Sequence, residues 1–229
     1  MELTFYGHSC FKIVSPQGKK VLIDPWVSNP QAPENVDLGP YDYILITHAH
    51  GDHLGDAIKL ARTSVTQVIA IHEIQQYLLS KGVPNAIGMN IGGSYRSNGL
   101  TFTMVMALHS SSLPDGSYGG EPCGFVITLE NGLRVYHAGD TGLFYDMKLI
   151  GELYQPEVAL IPIGDHYVMG PREAAKACQL IKPKFVIPMH YQTFPILTGT
   201  VEEFKAFLSE EDYQPEVIVL RPGESFILK

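Results

Sequence analysis

Short apolar runs open the chain, at residues 3–6, 10–14, 20–24 and 43–47, each bounded by Gly, Pro, Ser or Asp. Runs this short, rich in β-branched and aromatic residues between turn formers, predict strands. The period then changes. In HEIQQYLLSKG, Ile74, Tyr77 and Leu78 share one helical face and Gly82 marks a C-terminal stop, so a helix opening at His72 is predicted. Strands return at 100–108, 124–129 and 133–137, with Asn131-Gly132 as a hairpin signal between the last two. The second half alternates. A strand at 158–163 precedes GPREAAKACQLIKP, a helix with Pro171 near its first position and Pro183 beyond its end. A strand at 185–189 follows. Thr200 and Glu203 then form a capping box for a helix whose apolar face is Val201, Phe204 and Leu208. Strands at 217–220 and 225–228 close the chain.

Both halves run strands first and helices later, with no linker, short repeat or low-complexity segment between them. Helices outside two packed sheets satisfy this order. At 229 residues the chain is expected to form one large domain, or two similar halves around a shared core. Apolar residues make up 45% of it, enough for a sizeable interior. No apolar run reaches the length of a membrane span. The first residues, MELTF, have no basic region leading into an apolar stretch, so no signal peptide is expected. Three widely spaced cysteines, Cys10, Cys123 and Cys178, fit core thiols in a reducing, cytoplasmic compartment. The net charge of −8 weakens the case for a nucleic-acid backbone as partner, leaving a small molecule as the expected one. Self-association stays open.

The chemistry sits in THAHGDH, where the buried-strand pattern of YDYILIT runs into a polar loop. In layered α/β folds, ligands gather at such C-terminal strand ends. His48 and His50, two residues apart, point the same way in an extended chain. Asp52 and His53 follow Gly51, where the chain can bend. Crowded imidazoles with a carboxylate suit Zn²⁺, Mn²⁺ or Fe²⁺, because ligated imidazoles stay neutral and do not repel. The alternative is a histidine-rich surface turn. Three further polar residues end apolar runs in the same manner: His109 after FTMVMAL, Asp140 in LRVYHAGDTG and His190 after KFVIPM.

The pattern His48-x-His50-x-Asp52-His53, then His109, Asp140 and His190, resembles the metallo-β-lactamase superfamily over nearly the whole chain. GHSCF at 7–11, LIDPW at 22–26 and GDHYVMGP at 164–171 resemble, more narrowly, a bacterial and archaeal branch of metal-dependent hydrolases similar to the ascorbate-6-phosphate lactonases. The resemblance implies a four-layer αβ/βα sandwich with two divalent ions at one edge, Zn or Mn, with Fe or Ni as alternatives. It implies that His48, His50 and His109 hold the first ion, that Asp52, His53 and His190 hold the second, and that Asp140 bridges them. Two cations about 3.5–4 Å apart would share an oxygen ligand and acidify water, and the hydroxide would attack a carbonyl or phosphorus. That implies hydrolysis of a small-molecule lactone, ester, amide or phosphodiester. A nuclease with the same metals, or an iron redox enzyme of the same fold, is the alternative. Branch members lack the added nucleic-acid-binding domain of the RNA-processing relatives. The aspartate at 140, where many true β-lactamases carry a cysteine in the second site, argues against antibiotic hydrolysis.

With such ions no serine or cysteine nucleophile is needed, so Ser9, Ser110, Ser111 and Ser112 need no catalytic role and Cys10 reads as core. The catalytic candidates are Asp52, His8 and His166. The resemblance turns His8 and His166 toward the site as proton donors or substrate contacts; a backbone-bonded turn histidine is the other reading. Asp165 would fix the His166 tautomer or cap the turn. Asp24, after VLI and before Pro25, reads as a carboxylate orienting a ligand histidine or as a strand-end cap. His72 and His137 read as structural. Trp26 and Tyr191 flank the site-bearing stretches as pocket-wall or core residues.

Overall fold

A computed structural model describes residues 1–62 and 65–229. The first half holds β1 (Glu2–Phe5), β2 (Phe11–Val14), β3 (Lys20–Ile23), β4 (Tyr43–Leu45), α1 (Gly51–Leu54), α2 (Ala57–Ala61), β5 (Gln67–Ile71), α3 (His72–Ser80), β6 (Ala86–Met89) and β7 (Ser94–Ser97). Then come β8 (Leu100–Met106), β9 (Cys123–Thr128), β10 (Arg134–His137), α4 (Met147–Tyr154), β11 (Val158–Pro162), α5 (Pro171–Ile181), β12 (Phe185–Met189), α6 (Val201–Leu208), β13 (Glu216–Val217) and β14 (Ser225–Ile227).

Two seven-stranded mixed sheets result, ordered β14-β1-β2-β3-β4-β5-β6 and β13-β12-β11-β10-β9-β8-β7. With α3 packed on β5 and β6, and α4, α5 and α6 packed on one another, this is the four-layer sandwich expected. Each sheet changes character midway. β1 to β3 pair antiparallel and β3 to β6 parallel. In the other sheet β7 to β10 pair antiparallel and β10 to β13 parallel. All five residues of β11 and of β12 are buried, as a strand covered on both faces requires. The first sheet is completed from the far end of the chain, with Leu3 opposite Phe226.

Several elements carry no clear sequence signal. β5 passes straight into α3, so no turn separates the two periods. β7 is a polar edge strand, SYRS. α1 is too short for a period to show, and α2 and α4 begin without a side-chain cap. Where a proline or a capping side chain marks the first turn, the expected elements form. Pro171 stands in the first turn of α5. At α6, Thr200 Oγ1 accepts from Glu203 N at 3.2 Å while Glu203 Oε2 accepts from Thr200 N at 3.2 Å. Between β9 and β10, Gly132 takes the left-handed conformation (φ 85°) that turns the hairpin. Among the described residues, no helix is long and apolar enough to cross a membrane. All three cysteines are buried as free thiols.

The site lies where the parallel strands of both sheets end. The chain leaving β4 is stitched to the second sheet by Cys123 N, which donates to Thr47 O at 3.0 Å. At the end of β10, Gly139 (φ 64°) has no room for a Cβ, which would stand 2.6 Å from Cys123 O. That close approach sets Asp140 against the chain leaving β4.

Candidate metal centre

Asp24 ends β3 in the left-handed region, with φ 46°. Its Oδ1 accepts from Thr47 N at 2.8 Å and its Oδ2 from Thr47 Oγ1 at 2.8 Å. Oδ2 also lies 2.7 Å from His53 Nδ1. A carboxylate there draws the proton to Nδ1 and leaves Nε2 of His53 facing inward. Asp24 therefore contacts a ligand candidate as well as closing the strand. Thr47 also stands 3.1 Å from His48 Nδ1 through its hydroxyl. A single residue thus links the orientation of His48 to that of His53.

Asp140, 3% exposed, is the hub. Its Oδ1 is 3.2 Å from His53 Nε2. Its Oδ2 is 3.0 Å from His190 Nε2, 3.6 Å from His109 Nε2 and 3.9 Å from His48 Nε2. His48 Nε2 lies 3.0 Å from His50 Nδ1. Asp52 Oδ2 is 3.9 Å from His53 Nε2 and 4.0 Å from His190 Nε2. All seven ligand candidates are thus in one cluster. Their potential ligand atoms fall into overlapping groups in which every atom lies within 4.8 Å of the others: His48, His50 and His109; His48, His53 and Asp140; and His8, Asp52, His53 and His190.

The cluster has the character of a cation site. Asp140 Oδ1, His53 Nε2 and both ring nitrogens of His190 are buried without an aligned hydrogen bond, although His53 Nε2 and His190 Nε2 stand 3.2 Å and 3.0 Å from the Asp140 oxygens. Buried polar atoms are rarely left so, because each forfeits its hydration. Imidazole nitrogens and carboxylate oxygens around a shared centre suit Zn²⁺, Mn²⁺ or Fe²⁺. The charge states of His48, His50, His109 and the two carboxylates agree. Burial lowers the pKa values of His48, His50 and His109, favouring neutral rings. Burial works against ionisation of Asp140 and Asp52. Even so, His190 and His53 hold Asp140 well below the usual carboxylate range, and His8 and His53 hold Asp52 down. At His53 burial opposes the charged ring, but Asp140 and Asp24 on either side outweigh it and raise the pKa.

His8 is fully buried, and its Nε2 meets Asp52 Oδ2 at 3.0 Å while Nδ1 meets Thr193 Oγ1 at 2.8 Å. Burial lowers its pKa to about 4 despite the bond to Asp52. His8 O accepts from His190 N at 2.8 Å. The structure therefore brings His8 to Asp52 and His190, behind the cavity wall. His166 stands apart. It is exposed on a turn of two consecutive left-handed residues, Asp165 (φ 66°) and His166 (φ 56°). Asp165 Oδ1 accepts from His166 N at 2.8 Å, so Asp165 caps the turn. The next residue, Tyr167, faces the cavity instead. Trp26 stacks on Phe194, with ring centroids 6.0 Å apart, and Phe194 supplies the wall. Tyr191 packs against the core.

Other site-shaping contacts leave no trace in the sequence. His137 Nε2 bonds Ser9 O at 3.0 Å and its Nδ1 accepts from Gly139 N at 3.1 Å. It ties the loop carrying His8 to the loop carrying Asp140. Thr193 does the same between His8 and the stretch after β12. His72 is exposed on α3.

Residues 2–190 match the beta-lactamase superfamily domain. The chain is 49% identical over 228 residues to a UPF0173 metal-dependent hydrolase of Rubrobacter xylanophilus, covering 97% of this chain and 94% of that protein. It is 50% identical over 230 residues to one of Methanopyrus kandleri, covering 99% of each. The solved structure of a metallo hydrolase from the hyperthermophilic archaeon Ignicoccus hospitalis superposes with a TM-score of 0.88 at 41% identity, covering 100% of this chain and 99% of that one. Sequence, sheet order and the convergence on Asp140 agree: the chain belongs to the UPF0173 metal-dependent hydrolases of the beta-lactamase superfamily.

Proposed function

We propose that this hydrolase works with two divalent cations, Zn²⁺ or Mn²⁺, on the lactone, ester, amide or phosphodiester bond of a small molecule. The observation that carries the reading is Asp140, a buried carboxylate whose oxygens reach imidazoles from both ligand groups. His48, His50 and His109 would hold one ion, Asp52, His53 and His190 the other, and Asp140 both. Bound there, the ions supply Lewis acidity, lowering the pKa of water and polarising the carbonyl or phosphoryl oxygen.

The chain's own part is positioning. Asp24 sets the His53 ring, Thr47 sets His48, and His8 holds Asp52. Neither Cys10 nor Ser111 is placed to serve as a nucleophile. Cys10 is buried and burial pushes its pKa well up. Ser111 Oγ is engaged as acceptor from Ala49 N at 3.1 Å. The cavity at the centre, about 290 Å³, suits a small substrate.

Elemental analysis on protein reconstituted with Zn²⁺ or Mn²⁺ should reach two equivalents per chain, with turnover of a lactone, thioester or phosphodiester panel rising as the second is filled. Asp140→Asn should release at least one ion and abolish most turnover. Saturation at one equivalent under all conditions, or two ions retained in Asp140→Asn with normal rates, would overturn the two-cation assignment.

A further inference from the structure

Beyond the side chains directed at the ions, the cavity wall is built from Ser110, Tyr167 and Phe194. Two of these three are aromatic. Phe194 stacks on Trp26, with ring centroids 6.0 Å apart, and stands edge-on to His8, with centroids 5.7 Å apart. Tyr167 remains 56% exposed. Leu108 and Ile196, next but one in the chain to Ser110 and Phe194, are 57% and 42% exposed.

What the wall lacks is equally informative. No Lys or Arg occurs in residues 21–58, 97–133, 135–147, 149–171 or 185–204, the segments that carry every side chain lining the cavity. The cations lie elsewhere. Lys20 and Arg134 are the first residues of β3 and β10, and Lys184 precedes β12. All three are at the strand ends away from the site. Lys20 pairs with Asp37, Arg134 bonds Tyr154 O, and the Arg172 guanidinium lies over the Phe207 ring. A substrate carrying an anionic group remote from the reacting bond would find no guanidinium or ammonium among the lining side chains to make the charge-assisted contacts that fix such a group. A cationic group would likewise find no carboxylate among the lining side chains beyond Asp52 and Asp140, both ligand candidates.

We infer that the substrate is uncharged away from the bond that is broken and lays an aromatic or aliphatic group on Phe194 and Tyr167. The inference rests on the proposed hydrolysis for its reacting bond. The shape and charge of the wall carry the rest.

Trp26 is the single tryptophan and stacks on Phe194, so its fluorescence reports occupancy without turnover. Metal-loaded protein would be titrated with a matched set of lactones and esters whose side group ends in methyl, phenyl, trimethylammonium or sulfonate. Sulfonate is chosen because it is a weak metal ligand. Trp26 emission and initial rates would be read on the same samples. The phenyl member should bind, and turn over in kcat/KM, at least about tenfold better than the sulfonate and ammonium members. Phe194→Ala and Tyr167→Ala should each lower the phenyl-to-methyl ratio about tenfold, the scale of a lost apolar contact in specificity. Equal or tighter binding of the sulfonate or ammonium member, or an unchanged ratio in both variants, would overturn the inference. Phenyl-selective binding without turnover would count against hydrolysis of these bonds while upholding the character of the wall.

Discussion

Asp24 has both carboxylate oxygens committed, one to Thr47 N and the other to Thr47 Oγ1 and His53 Nδ1. Its effect on metal binding therefore passes directly through His53 and, by way of Thr47, through His48. Asp24→Ala should weaken metal affinity by about 10–100-fold, the usual scale when the partner of a ligand histidine is lost. Alanine also fits poorly at φ 46°, so Asp24→Asn, which tolerates that conformation, separates strain from lost charge. Competition against a chelator, with circular dichroism as a folding control, reads both. Wild-type affinity in both variants would leave Asp24 only the role of closing β3. At this scale the sequence is most legible where polar residues interrupt apolar runs. His48, His109, Asp140 and His190 stand out because the strand before each is buried and the side chain is not apolar. His137 is invisible by the same logic, since bonds to Ser9 O and Gly139 N depend on backbone far away in sequence. Tyr167 rather than His166 lines the cavity, on a turn of two left-handed residues in succession that neither residue type announces.

The capping box at α6 is an element with a local cause. Thr200→Ala removes the side-chain acceptor of Glu203 N and should cost about 1 kcal/mol of stability. The denaturation midpoint should fall while metal content stays unchanged, because α6 carries no ligand. A midpoint equal to wild type would show that packing of Val201, Phe204 and Leu208 holds the helix without its cap. Elements such as this one, or α5 with Pro171, are legible because their ends are written in side-chain chemistry. α2 and α4 are not, since neither a proline nor a capping side chain marks their first turns. The strands are legible in place and approximate in length. β8 ends at Met106 because Leu108 N turns to Thr141 Oγ1, at 2.9 Å, and leaves the ladder.

At the scale of the molecule, the ligand candidates are divided between the sheets. His48, His50, Asp52 and His53 follow β4 in one, and His109, Asp140 and His190 follow β8, β10 and β12 in the other. Each proposed ion draws on both. Neither sheet can assemble a complete set alone, so the ions are expected to bind tightly only after the two sheets have docked. In kinetic terms they act as clamps on the finished structure and contribute little to the transition state for folding. Interactions absent from that transition state slow unfolding and leave folding nearly unchanged. Stopped-flow denaturation with and without bound Zn²⁺ should show unfolding at least about tenfold slower in the metal-loaded protein, with superimposable refolding arms. A refolding rate that rises with metal concentration would mean instead that the ions join an early nucleus. If the clamp holds, metal supply governs how long each molecule lasts rather than how quickly it forms.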